Sequence, residues 1–386
     1  MGVRAIRGAA AAAGIATLLA AAGVAAQMKV GVILSATGPT AIVGIPQKNT
    51  IGVLPRAFGA IQVDYVFYDD ASDPAQTIRI ARKLREEDNV DAIIGPSGSP
   101  NAVALVGFVA DEKTPLLAPV GTTAVVLPMD EQRRWIFKTT QNDDLIAEAL
   151  VHDMVRSGVK TVGFIGLDDP YGELWRKAFV PIATAAGIRV VSDQRFARTD
   201  QSVTGQVARL IATAPDAVLV AAAGGPTVLP HVTLVERGYR GRIYQTHGAA
   251  SPDFIRLGGK SVEGAIMAAS SMLVLDQIGD DAPWKRVASD YIVAYEHLNG
   301  VPPATFGANV YDAGLLLQRA VPLAARAGPP GTVEFRSALR DALEQTRGLV
   351  GSQGVYTMTP QDHSGFDRRG RVLMTLHDGR WRLLPD

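Results

Sequence analysis

KVGVILSATGPTAIVGIP, residues 29–46, decides the fold. A short apolar strand, Val30 to Leu34, runs into Ser35-Ala36-Thr37-Gly38-Pro39, and an apolar helical stretch starts just after. Open α/β sheets hold ligands in turns of this kind, at the carboxyl ends of parallel strands. The unpaired N–H groups and positive dipole end of a helix start suit a carboxylate. The turn reads as one wall of a small-molecule site that later strand-to-helix turns complete.

The same alternation continues along the chain, as expected for βαβ units and a parallel sheet. Strand 61–68 ends in Asp69-Asp70 and a Ser72-Asp73-Pro74 turn, where Pro74 suits the first turn of the next helix. Strand 90–94 closes on Gly95-Pro96-Ser97-Gly98-Ser99-Pro100, and strand 115–120 on Gly121-Thr122-Thr123. A second series begins near Gln141, with Ile146, Leu150 and Met154 four apart on one helix face. Its strands, 161–167, 188–191, 217–223 and 242–246, lead to Asp168-Asp169-Pro170-Tyr171-Gly172, Gly224-Gly225-Pro226 and His247-Gly248. The last third carries helical stretches at 284–298, 306–325 and 333–346. Short strands at 355–358, 372–376 and 381–384 follow, the last two joined by a hairpin turn at His377–Arg380. These helices are expected to return to a first lobe and the terminal strands to a second.

Composition agrees with two α/β lobes. A chain of 386 residues exceeds one typical core. Its 38 basic and 38 acidic residues balance, so no electrostatic footprint for nucleic acid exists. Residues 1–26 read as a secretory signal peptide: Arg4 and Arg7, an apolar run from Ala9 to Ala22, then Val24-Ala25-Ala26 before a cut. The sequence has no cysteine, so disulfides are excluded and no thiol is present for a lipid anchor. A soluble periplasmic location is expected.

Chemistry-bearing motifs are sparse. There is no GxGxxG, GxxxxGK[ST] or HExxH. Gly95-Pro96-Ser97-Gly98-Ser99 lacks the spacing of a GxSxG nucleophile elbow. Six histidines are scattered, so no metal or cofactor site is expected, and an exported hydrolase is disfavoured.

GVILSATGPTAIVGIP (31–46), DDASDPAQTIRIARKL (69–84), IIGPSGSP (93–100), PLLAPVGTT (115–123), DDPYGE (168–173) and GVYTMTPQDHSG (354–365) together resemble the type I periplasmic solute-binding proteins of ABC importers, in the leucine/isoleucine/valine-binding group. The resemblance implies two Rossmann-like lobes joined by three crossovers, here near Gln141, Ser270 and Gly351. Lobe 1 is then 27–141 plus 270–350, and lobe 2 is 142–269 plus 351–386. It also implies a monomer with a membrane permease as partner. By the resemblance, Ser99 would bind a ligand carboxylate, Val120 and Thr122 would join it, Val43 would line the pocket and Tyr171 would close over the guest. Ser35, Thr37, Gly224 and His247 complete the candidate set. Amino-acid binders of this group hold the ammonium with an acid after a late strand; here His247 stands at that place. A buried ammonium without a counter-charge is costly. The expected ligand is therefore a carboxylate lacking an α-amine, aromatic or branched aliphatic. A hydrophobic amino acid is the alternative, and a free periplasmic sensor is the alternative of another class.

Overall fold

Strand Gln27–Leu34 is buried on both faces, as a central strand of a parallel sheet must be. Met28, Val30, Val32 and Leu34 enter one core while Ile33 enters the core on the opposite face. In this computed structural model, which describes residues 27–385, that strand centres a six-stranded sheet. Its neighbours are Ile61–Asp69 on one side and Ala92–Ile94 on the other. Leu116–Ala118 and Ile136–Lys138 follow outward from Ala92–Ile94, all parallel. Only the short strand Ala57–Phe58 runs antiparallel, at the edge beside Ile61–Asp69. The proposed signal peptide, residues 1–26, lies outside the described residues.

A second sheet repeats the order. Thr161–Leu167 lies between Arg189–Phe196 and Ala217–Ala221, then come Arg242–Gln245 and Ile266–Ala269, all parallel. Each lobe thus places its first long strand between its second and third. The strand order reverses there, opening a crevice at the carboxyl ends. The second sheet ends in Val372–His377 and Arg380–Leu383, an antiparallel hairpin turning through Asp378 and Gly379, both at positive φ. Positive φ at both central positions is what a tight hairpin turn requires.

The long helix Thr305–Ala324 packs on the first sheet. Val310, Ala313, Leu317 and Val321 fill the core on the face of Val30 and Val32, with Phe335 and Leu339 of helix Val333–Glu344 beside them. Helix Pro74–Glu86 covers the other face through Ile80, Ala81 and Leu84, and Asp73 caps it by accepting from the Ala75 N–H (2.8 Å).

The third boundary differs from the expectation at Gly351. Tyr356 and Met358 sit in the first-lobe core. His363 stacks on Phe137 with ring centroids 4.3 Å apart. The chain leaves that lobe only near Gly370, just before Val372 joins the second sheet. The segment after Gly351 makes only a two-stranded pairing of Leu349–Val350 with Val355–Tyr356, too short to carry a periodicity.

Candidate functional site: a cleft between the lobes

The turn after the first strand is held rigidly by carboxylates rather than left open. Asp70, fully buried, accepts hydrogen bonds from Ser35 Oγ (2.7 Å), Thr77 Oγ1 (2.9 Å) and Asn101 Nδ2 (2.9 Å). Asp69 accepts from the Ala36 N–H (2.9 Å) and Thr37 Oγ1 (2.8 Å). A further link joins this turn to the third: Ser35 N–H donates to Ser97 Oγ (3.0 Å), and Ser97 Oγ donates to Gln47 Oε1 (2.6 Å). Buried hydrogen-bond networks of this kind fix geometry. Here they hold Ser97 and its neighbour Ser99 at the cleft wall.

Between the lobes lies a small cavity. One wall belongs to the first lobe: Thr40 and Val43 at the first turn, Ser97 and Ser99 at the third, Val120 and Gly121 at the fourth, and Thr140. The opposite wall belongs to the second lobe: Tyr171, Arg198, Ala223, His247 and Gly248. Phe306 and Asn309 of the long helix close one side, and Phe306 packs with Val43 and Ala304 as an apolar patch.

The polar groups facing this space are of three kinds. Ser99 is buried, and among the described residues its hydroxyl has no hydrogen-bond partner; the same holds for Thr40 Oγ1. Arg198 is the cation of the lining. Its Nε donates to Asp169 Oδ2 (2.6 Å), while Asp169 Oδ1 caps helix Pro170–Ala185 by accepting from Tyr171 N–H (2.8 Å) and Gly172 N–H (3.2 Å). His247 is neutral: burial, with the Lys138 ammonium nearby, pushes its pKa down to about 3. Among the described residues, no carboxylate lines the cavity.

Behind His247 stands Asp143, the first residue of helix Asp143–Arg156. Its Oδ1 lies 3.8 Å from His247 Nε2. Burial pushes the Asp143 carboxyl up to about 7 against the attraction of Lys138. Lys138 is itself buried, with its Nζ donating to Gly121 O and Asn142 Oδ1.

A family model for periplasmic binding proteins matches residues 27–375. The chain belongs to the type I periplasmic binding protein family. An extracellular ligand-binding receptor from Rhodopseudomonas palustris HaA2 superposes with a TM-score of 0.91 at 42% identity, covering 93% of this chain and 100% of that one. A Leu/Ile/Val-binding protein homolog from Brucella melitensis is 22% identical over 86% of this chain and 87% of its own length. A solute-binding protein of an ABC transporter from R. palustris, solved in complex with benzoate, shares the fold with a TM-score of 0.77 at 21% identity, covering 93% of this chain and 95% of its own. The chain spans only 14% of the length of a further relative, a probable metabotropic glutamate receptor from Caenorhabditis elegans, at 29% identity over 38% of this chain. Members of the family are solute-binding receptors rather than enzymes. Among the described residues no helix is long and apolar enough to cross a membrane.

Within this periplasmic binding protein, the structure brings Val43, Ser99, Val120, Tyr171 and His247 to one cavity. It does not bring the other four candidates to the lining. Ser35 is spent on Asp70, and Thr37 is exposed on Asp69. Thr122 caps a helical turn by accepting from the Ala124 N–H (3.2 Å). Gly224 faces Val43 and Ile42 of the other lobe instead. Ser99 is not itself a cap: it is the first residue of helix Ser99–Ala104, and Gly98 holds the capping position without a side chain. Tyr171 is anchored, its phenol bonded to Thr246 Oγ1 (2.9 Å) and kept protonated by burial. The lining residues that escaped the sequence reading include Thr40, Ser97, Thr140, Arg198, Phe306 and Asn309. Arg198 had a usable signal, since it follows the strand Arg189–Phe196 at a carboxyl end; Phe306 and Asn309 look like ordinary helix residues.

Proposed function

We propose that this protein is the extracytoplasmic solute-binding component of an ABC importer and that its ligand is a small carboxylate without an α-amine, with an aromatic or branched aliphatic body. The observation that carries this reading is the composition of the cavity wall. It offers Arg198 and the unpartnered hydroxyls of Ser99 and Thr40 to an anion, Val43 and Phe306 to an apolar body, and no acidic side chain among the described residues to an ammonium. A neutral His247 where an acid would hold an amine points the same way. The benzoate bound by a distant structural relative supplies a probe. A membrane permease is the expected partner, a monomer the expected state and the periplasm the expected compartment.

A second reading, a hydrophobic amino acid, is favoured by one observation: Asp143 lies 3.8 Å behind His247 and could supply the counter-charge. Isothermal titration with benzoate, branched short-chain acids, leucine and valine separates the two. Binding of the acids with none of the amino acids supports the carboxylate reading. Tight leucine binding with silent acids overturns it. A thermal-shift screen gives the first pass, because a ligand at 100 times its Kd adds ~2.7 kcal/mol of stability.

A further inference from the structure

Asp143 has no task in that reading, yet it is a buried carboxylate whose two oxygens both lack a hydrogen-bond partner. Burying a charged group in this way is costly unless a partner or a proton arrives. The residue is not remote from the cavity. Gly121 lines the cavity, and a Cβ built on Gly121 would stand 2.8 Å from Asp143 Oδ1 and in contact with His247 Nε2. His247 Nδ1 is buried and unpartnered as well. Two polar side chains with open valences therefore stand directly behind the wall on which an anion would rest.

The other charged and titratable groups around the pair are accounted for. Lys138 attracts Asp143 from the strand side, but its donors are committed to Gly121 O, Gln141 O and Asn142 Oδ1. Asp144, next on the helix, repels Asp143, and Asp362 acts on Lys138. From the second lobe come the protonated Tyr171 phenol and the Trp175 indole, the latter 5.7 Å from the His247 ring. Arg198 is held by Asp169. None of these gives the Asp143 oxygens a hydrogen bond.

Two carboxylates that share one desolvated recess do not both stay ionised; one keeps a proton. Resting on the carboxylate reading above, we infer that capture of an anionic ligand in this cleft is coupled to uptake of one proton by the Asp143–His247 pair, so that the protein takes an anion together with a proton. The proton comes from solvent, and no bond other than those to hydrogen changes. Burial already holds Asp143 near neutrality, so at pH 8 the free protein carries it mostly ionised and the proton must be acquired on binding. At pH 5 it is present beforehand, and the coupling vanishes.

The test uses the mature protein with benzoate, which stays ionised throughout the range. Kd is measured at about pH 6, 7, 8 and 9. At about pH 8, calorimetry is repeated in phosphate and Tris, whose ionisation heats differ. Expected are an affinity that falls toward tenfold per pH unit above neutrality and a buffer-dependent heat reporting proton uptake approaching one. Asp143→Asn is expected to bind benzoate with a flat pH profile and equal heats in both buffers, its fold checked by near-UV circular dichroism. The wild-type calorimetry stands alone if that variant does not fold. Equal affinity at pH 6 and 9 with equal heats in both buffers overturns this inference while leaving the carboxylate reading intact. A pH slope that persists in Asp143→Asn also overturns it, because the coupling then does not run through Asp143. Failure of benzoate and every other carboxylate to bind at any pH overturns the functional reading, and this inference with it.

Discussion

Gly224 of the second lobe stands against Val43 of the first: a Cβ on Gly224 would lie 3.4 Å from Val43 Cγ2 and 3.7 Å from Ile42 Cβ. The turn that carries Gly224 thus seats on the start of helix Ala41–Thr50 and closes the rim of the cavity. Gly224 also has φ +69° with ψ −142°, a backbone state that costs side-chain-bearing residues about 1–3 kcal/mol. Gly224→Val adds bulk and strain where the lobes meet. Expected is binding at least about tenfold weaker, or about 1.4 kcal/mol. Small-angle scattering should also show less compaction with ligand than in the wild type. Unchanged affinity and compaction would remove Gly224 from the closing contact.

Ser99 and Thr122 make a controlled pair, because one faces the cavity and the other is spent on its own backbone. Ser99→Ala removes a hydroxyl that no protein group uses, so thermal stability should hold. Carboxylate affinity should fall by about 1.5–3 kcal/mol, the worth of a hydrogen bond to a charged group. Thr122→Val removes the acceptor for the Ala124 N–H and should cost about 1 kcal/mol of stability, with a smaller change in affinity. Urea denaturation and calorimetry on both variants check the crossed pattern; the reverse pattern would exchange their roles.

Much of this architecture is legible before any coordinates. Apolar runs of strand length followed by Asp-Pro or Gly-Pro turns place the strand ends, and those ends meet at the cleft because both lobes reverse their strand order at the first strand. What sequence does not carry is which polar residue of a turn faces inward. Ser35 and Ser99 look equivalent in the chain. Only the fold puts Asp70 within reach of Ser35 and leaves Ser99 without a partner. Arg198 shows the same limit: its place after strand Arg189–Phe196 marks a carboxyl end, but its orientation depends on Asp169 from another strand end, which holds it. The third crossover is misread at Gly351 because residues 351–370 are mostly turns, without the 2.0 or 3.6 periodicity that betrays which core they join.

Arg198 supplies the electrostatics of the second-lobe wall. Only 14% of its side chain is exposed, so its charge is weakly screened. Arg198→Gln keeps length and a donor but removes the charge. Benzoate affinity is expected to drop between about tenfold and a hundredfold, the scale of one partly buried charge-assisted contact. The salt dependence of binding should flatten with it. The uncharged isostere benzamide provides the control. An equal loss for benzoate and benzamide would mean that Arg198 shapes the wall and does not read charge.

Stability should respond to acid through His231. This residue is buried in helix Val228–Glu236, its Nδ1 3.1 Å from Gln245 Nε2 and its ring edge-on to Phe254. The amide donates, so Nδ1 accepts and the ring is neutral. Burial pushes its pKa down to about 4, against about 6.5 in an unfolded chain. Between those values the unfolded state binds more protons, so stability rises with pH across the window and is lost as pH falls from about 6.5 toward 4. The loss is on the order of 2–3 kcal/mol at full protonation of the unfolded state. Burial acts in the opposite sense on Asp91 and Asp312, whose carboxyls are held up at about 6. Comparison with His231→Gln cancels their contribution. Urea denaturation of both proteins at pH 7 and pH 4.5 should show the wild type losing more stability than the variant over that interval. Parallel losses would mean that His231 stays neutral by another route or already opens to solvent in the folded protein.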